Sequence, residues 1–176
     1  KSQLTFAGDA AAASGISTSS GIVVKLEFES IPDQTMTTDE RTVYDTSLAN
    51  GLFTVDESGS SPVIRPNTED KVGTGILRVS FQHVAVTASV SIAVVRANRT
   101  EVSAHPFPTF SGSTSQTATE LNRFANTSEY QRAQLALTLV LDTEERKSVS
   151  GSFAAVNGGV FVVAGDIVSR DVGGAL

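Results

Sequence analysis

The sequence predicts an all-β protein built of two β-sandwich domains, the second of them incomplete. Three observations predict it. Short apolar stretches alternate with polar residues at period two. Turn signals recur about every ten residues. The same order of segments occurs twice along the chain, and the late copy has fewer of them.

Composition supports a folded β-protein. Of 176 residues, 40% are hydrophobic and 18% charged, which suits a globular core rather than a disordered chain. Ser and Thr make up about a quarter of the chain, and β-branched residues pack well on a pleated sheet. The net charge of −6 argues against nucleic acid, which needs basic patches. With no Cys, disulfides and thiolate chemistry are excluded. No apolar run reaches the roughly 20 residues of a membrane-spanning helix, so no membrane span is expected. The first residue is Lys1 rather than Met, which fits a processed or partial product, and any signal peptide would be out of view.

Residues 1–8 (KSQLTFAG) form a short strand with Leu4 and Phe6 on one face. Residues 9–21 (DAAAASGISTSSG) are small, polar and of low complexity, and read as a flexible linker. The segment IVVKLEFE, 22–29, alternates cleanly and predicts a half-buried strand that ends at Ile31-Pro32-Asp33. RTVYDT (41–46) and LFTV (52–55) are strands around an Asn50-Gly51 turn signal. ILRVSFQ (76–82) and VTASVSIAVV (86–95) complete a first domain spanning 22–96.

The second domain, 97–176, begins with a strand through Val102. Pro106 and Pro108 mark the following piece as an edge or a bend. One or two helical turns are expected within 117–131, around Leu121, Phe124 and Tyr130. In AQLALTLVLD, Leu135, Leu137 and Leu139 share a face, and KSVSGSFAA, VFVVAG and IVSR follow as strands.

The two halves correspond in order. IVVKLEFE matches AQLALTLVLD, Asp39-Glu40-Arg41 matches Glu144-Glu145-Arg146, and Asn50-Gly51-Leu52-Phe53 matches the stretch from Asn157 to Phe161. The two asparagines lie roughly 100 residues apart, the size of one immunoglobulin-like domain. The early copy continues through two more strands that have no late counterpart. The expectation is a second sandwich with an open slot, which native proteins cover. The strand 1–8, from the same chain or a neighbouring copy, could fill it by strand addition; the alternative is that 1–8 is the ordinary first strand of the first domain. Leu4 and Phe6 would then be the donor's buried side chains, and Leu135, Leu137, Leu139, Val160 and Val162 would line the acceptor groove. Head-to-tail addition that does not close on itself makes filaments.

The stretches YDTSLANGLFTVDESG, VGTGILRVSF and VTASVSIAVV are similar to bacterial immunoglobulin-like repeats of the group 2 type. VVRANRTEVSAHPFPTFSGS and LNRFANTSEYQRAQLALTLVLD resemble the linked second module of large surface proteins. The resemblance covers about residues 22–168. It implies cell-surface adhesins, appendage components and filament subunits, and the layout looks like donor-strand-exchange pilins and glycosylated fibrils from environmental samples. The expected localisation is extracellular, on a cell-surface appendage, with copies of the same chain as partners. The alternative is a spacer or adhesive binding module of a large surface protein.

Two sequons, Asn98-Arg99-Thr100 and Asn126-Thr127-Ser128, are candidate acceptors of N-linked glycans. His83 and His105 are too few for a zinc site without Cys. The acidic pairs lack the spacing of a calcium loop. Neither a phosphate-binding glycine pattern nor a G-x-S-x-G elbow occurs. No enzyme, metal or cofactor is therefore expected.

Overall fold

The computed structural model describes residues 2–67, 71–149, 161–164 and 166–170. The protein is all-β, with 48% strand and, among the described residues, no helix of seven residues or more. The chain divides into two compact units, Lys1–Ala97 with Leu141–Glu144, and Asn98–Val140 with Glu145–Leu176.

Among its described residues the first unit holds nine strands: β1 (Ser2–Leu4), β2 (Ser20–Gly21), β3 (Lys25–Leu26), β4 (Gln34–Thr35), β5 (Thr42–Asp45), β6 (Phe53–Asp56), β7 (Val63–Pro66), β8 (Gly73–Phe81) and β9 (Val84–Val94). One sheet runs in the order β1-β9-β8-β5, a second in the order β2-β7-β6, and β3 pairs with β4. The centre of the first sheet is the long β8–β9 hairpin, turned at Gln82-His83, with His83 in the left-handed region at φ 65°. The apolar faces of the two larger sheets meet. Phe53 and Ile64 from one pack with Leu77, Ile92 and Val94 from the other, and Leu4 and Phe6 join the same cluster. That is the arrangement of a β-sandwich.

Gly75 on β8 is required by this packing. A Cβ there would lie 2.9 Å from the Ala49 backbone and 2.9 Å from the Phe53 ring. The bare backbone lets the short 3-10 turn Ser47–Ala49 lie directly on the strand.

Two expectations are corrected here. The 22–29 segment is not one continuous strand, since only Lys25–Leu26 is paired. Around it, the Thr37 hydroxyl accepts from the Val24 amide (2.9 Å), and Val23 and Phe28 remain exposed. The Ile22 amide donates to the Pro62 carbonyl and the Val24 carbonyl accepts from the Met36 amide, so the segment is held by scattered bonds to different neighbours rather than by one continuous ladder. The 9–21 segment is not a loose linker. Asp9 Oδ1 accepts from the Ala11 amide (2.7 Å), capping a 3-10 helix over Ala10–Ser14, and from the Ala97 amide (3.0 Å). Ala11 and Ile16 are buried with Ala93, Val95 and Leu141. Small side chains that read as low complexity are here the ones that permit close packing.

The second unit contains β10 (Ala97–Phe107), β11 (Arg132–Leu141), β12 (Arg146–Val149), β13 (Phe161–Ala164) and β14 (Ile167–Arg170). They form one five-stranded sheet, in the order β10-β11-β14-β13 with β12 also on β11. Strand β12 pairs with Leu137–Val140 of β11, and β14 pairs with Ala133–Gln134. Pro106 lies in β10 at the end of the sheet order, where a missing amide is tolerated. The expected helical turns in 117–131 do not form. The segment closes instead on an Arg123–Tyr130 bridge and a tight turn, in which Thr127 Oγ1 donates to the Phe124 carbonyl (3.0 Å). Asn126-Thr127-Ser128 supplies turn chemistry that competes with a helix.

Candidate functional site

The feature that bears most directly on function is the seat of β1. This strand pairs in parallel with β9, Ser2 opposite Ile92 and Leu4 opposite Val94. The Val95 amide donates to the Leu4 carbonyl (2.9 Å), and the Thr5 amide donates to the Ser17 carbonyl (3.0 Å). Leu4 is 1% exposed and Phe6 5%. Burying each contributes roughly 1.5–3 kcal/mol. Thr5 is also fully buried, but its hydroxyl has no hydrogen-bond partner among the described residues, which costs about 1–3 kcal/mol. The segment leaves its seat through a turn at Ala7-Gly8, where Gly8 has φ 87° and the Asp9 amide donates to the Phe6 carbonyl (3.1 Å).

The structure therefore places Leu4 and Phe6 in the core of the first unit of their own chain. Of the two places the sequence allows, the groove of the second unit is not the one they occupy. The residues assigned to that groove divide. Leu139 is buried (4%), whereas Leu135 and Leu137 are half-buried along the same face of β11. Val162 pairs opposite Ser169 in the backbone ladder between β13 and β14. Val160 lies outside the described residues, as do Asn157 and Gly158.

The sequons are both exposed. Asn98 sits in β10, and Asn126 stands at its turn in the left-handed region at φ 62°. A cleft of about 480 Å³ in the second unit is lined by Pro106, Phe107, Phe110, Leu121, Phe124 and Arg132, among others. The Arg132 guanidinium lies 5.0 Å from the Phe107 ring centroid.

His105 Nδ1 is 2.7 Å from the Gln116 carbonyl and its Nε2 is 3.0 Å from Ser103 Oγ. The carbonyl only accepts, so Nδ1 carries the hydrogen and Nε2 accepts from Ser103. Among the described residues no acidic side chain joins them in a hydrogen bond, and the pair ties β10 to the 116 segment. Among the described residues no group of three or more His, Cys, Asp or Glu could hold a metal ion, and no helix is long and apolar enough to cross a membrane.

The chain matches no family model, no curated protein and no solved structure.

Residues 9–21 are ordered where the sequence favours a linker, and of the two places the sequence leaves open for 1–8 the structure takes the first unit. The signal for the seat was present: VTASVSIAVV offers Ile92 and Val94 on the same alternation that puts Leu4 and Phe6 together, so the two segments are matched in pattern.

Proposed function

We propose that this protein is a structural subunit of an extracellular filament, made of immunoglobulin-like sandwiches and joined head to tail by exchange of the segment 1–8. The observation that carries the reading is the seat of β1. A short edge strand, hinged at Gly8, supplies two core side chains to a unit whose other strands come from elsewhere in the chain. Such a strand can be supplied by a neighbouring copy with the same contacts, which is how strand exchange links subunits at low cost. In this form the acceptor is the first unit, with Leu77, Ile92 and Val94 receiving Leu4 and Phe6. The half-buried Leu135 and Leu137 leave the second unit as a further acceptor. N-linked glycans at Asn98 and Asn126 fit an exported filament, since both side chains are accessible.

A second reading has its own support. The seat is filled from the same chain, and residues 9–21 are anchored by Asp9, Ala11 and Ile16. A closed unit of that kind suits a spacer or adhesive module within a large cell-surface protein.

Negative-stain electron microscopy of the full chain beside a chain lacking residues 1–8 separates the two. The filament reading expects filaments from the full chain alone, and loss of stability in the shortened chain that added KSQLTFAG peptide restores. Monodisperse particles from the full chain at every concentration would sink it and leave the spacer reading.

A further inference from the structure

Strand β9 carries one apolar stripe along its whole length: Val84, Val86, Ala88, Val90, Ile92 and Val94. Among the described residues only one end of it is covered. Ile92 and Val94 are buried at 2% and 0%, but Val84, Val86 and Val90 are 46%, 46% and 43% exposed. The edge of the strand shows the same division. On the side away from β8, β1 pairs with Ile92–Val94 and stops, and no other described strand takes up the remaining length. All eight residues from 84 to 91 are exposed. At about 3.4 Å per residue this is roughly 27 Å of open ladder.

Native proteins guard such an edge with Lys, Pro or a bulge that twists it away. Residues 84–94 contain no charged residue and no Pro. The irregularity in the hairpin falls at Ser80/Phe81, beside the turn, and leaves the open length regular. An unguarded, charge-free, half-apolar edge calls for a covering strand.

Charge identifies the occupant. A charged strand would bring its side chains against a rim that offers nothing to pair with them. Among the described strands of a second copy, β10 carries Arg99, Glu101 and Pro106, β8 carries Arg78 and is paired on both sides, and β11 is a central strand. A long, uncharged strand with a free edge remains in β9 itself. Two identical charge-free edges can also meet without like charges facing each other, which matters in a chain of net charge −6.

We propose that the open edge of β9, residues 84–91, pairs antiparallel with the same edge of a second copy across a two-fold axis. The contact is isologous: residue i faces j and j faces i. It joins two β5-β8-β9 sheets into one continuous sheet. It uses a part of β9 that β1 does not touch, so it is independent of strand exchange and would pair filaments or soluble subunits alike.

The test is sedimentation of the full chain over a concentration series, beside Val86→Lys. The wild-type chain is expected to form reversible dimers. The lysine variant, altered at a half-exposed position, should dissociate at least about tenfold more readily, as expected of a lysine set on a pairing edge, with its circular dichroism and Tm unchanged. Single cysteines at Ala85, Thr87 and Ser89, in a chain without native cysteine, provide a second readout that leaves the fold undisturbed. Antiparallel two-fold pairing gives oxidative cross-linking that peaks at one position and falls on either side. A chain monomeric at all concentrations, association indifferent to Val86→Lys, or equal cross-linking at all three positions would overturn the proposal. Association that survives Val86→Lys but disappears when residues 1–8 are removed is strand exchange alone, and would overturn it too.

Discussion

The two units use the same strand alphabet and reach different degrees of closure. In the first, alternating apolar residues from two facing sheets, with Leu4 and Phe6 added, form a cluster in which Phe53, Leu77 and Ile92 are 1–2% exposed. In the second, the described strands form one sheet. Leu139 and Val140 are buried, Leu135 and Leu137 only half so, and Val102, Phe110 and Phe124 are exposed. Alternation marks which face of a strand can be apolar. A second layer is needed to take that face out of water, and hydrophobic stabilisation follows the area removed.

The largest effect that should separate the units comes from truncating matched core positions. Phe53→Ala should cost about 3–5 kcal/mol of first-unit stability. Leu137→Ala, at a position only partly buried, should cost clearly less than the usual Leu→Ala penalty of about 2–5 kcal/mol. Denaturant unfolding, with hydrogen exchange to assign each unit, measures both, and equal costs would break the comparison.

Gly75→Ala tests how tightly the first unit is closed. A methyl group would meet the Ala49 backbone and the Phe53 ring at 2.9 Å, so overpacking should cost about 1–3 kcal/mol. A shift of Tm indistinguishable from zero would show that the turn over β8 yields freely.

Thr5→Val sharpens the account of the β1 seat. It replaces a buried hydroxyl that lacks a partner with a methyl of similar shape, and should stabilise the first unit by about 1 kcal/mol. Destabilisation in a chemical melt would mean that the hydroxyl is satisfied in solution.

The smallest effects are electrostatic. In the first unit Arg41 grips Asp39 through two hydrogen bonds, 2.8 and 2.9 Å. That contact holds the carboxyl well below its ordinary 3.8, at about 2. In the second, Arg146 and then Arg99 lower Glu101 in the same direction. A lowered folded-state pKa contributes stability above the unfolded value, which is lost as pH falls through the folded one. The stability difference between wild type and Asp39→Asn should therefore be constant above about pH 4 and vanish towards pH 2. Both pairs lie at the surface, with the carboxylates partly exposed, so added salt should shrink the difference. A difference that persists at pH 2 would refute the pairing.

Much of the secondary structure was legible in the residues. The strands at β5, β6, β8, β9 and β11 follow from period-two alternation between turn signals, and the Pro106 edge follows from the missing amide. The 22–29 strand and the 117–131 helical turns were not legible, because each depends on whether a partner lies alongside. The candidate site divides the same way. The sequence marked Leu4 and Phe6 as a matched apolar pair on one short strand and set Asn98 and Asn126 between apolar segments. Only the tertiary structure decided that β1 lies against Ile92–Val94 rather than against β11, that Asp9, Ala11 and Ile16 anchor the segment beyond it, and that the apolar stripe of β9 is covered at one end and open at the other. The physical reason is that periodicity is a property of one strand, whereas burial and hydrogen-bond pairing belong to two, and the choice between two apolar partners of equal pattern is settled by the surfaces that meet.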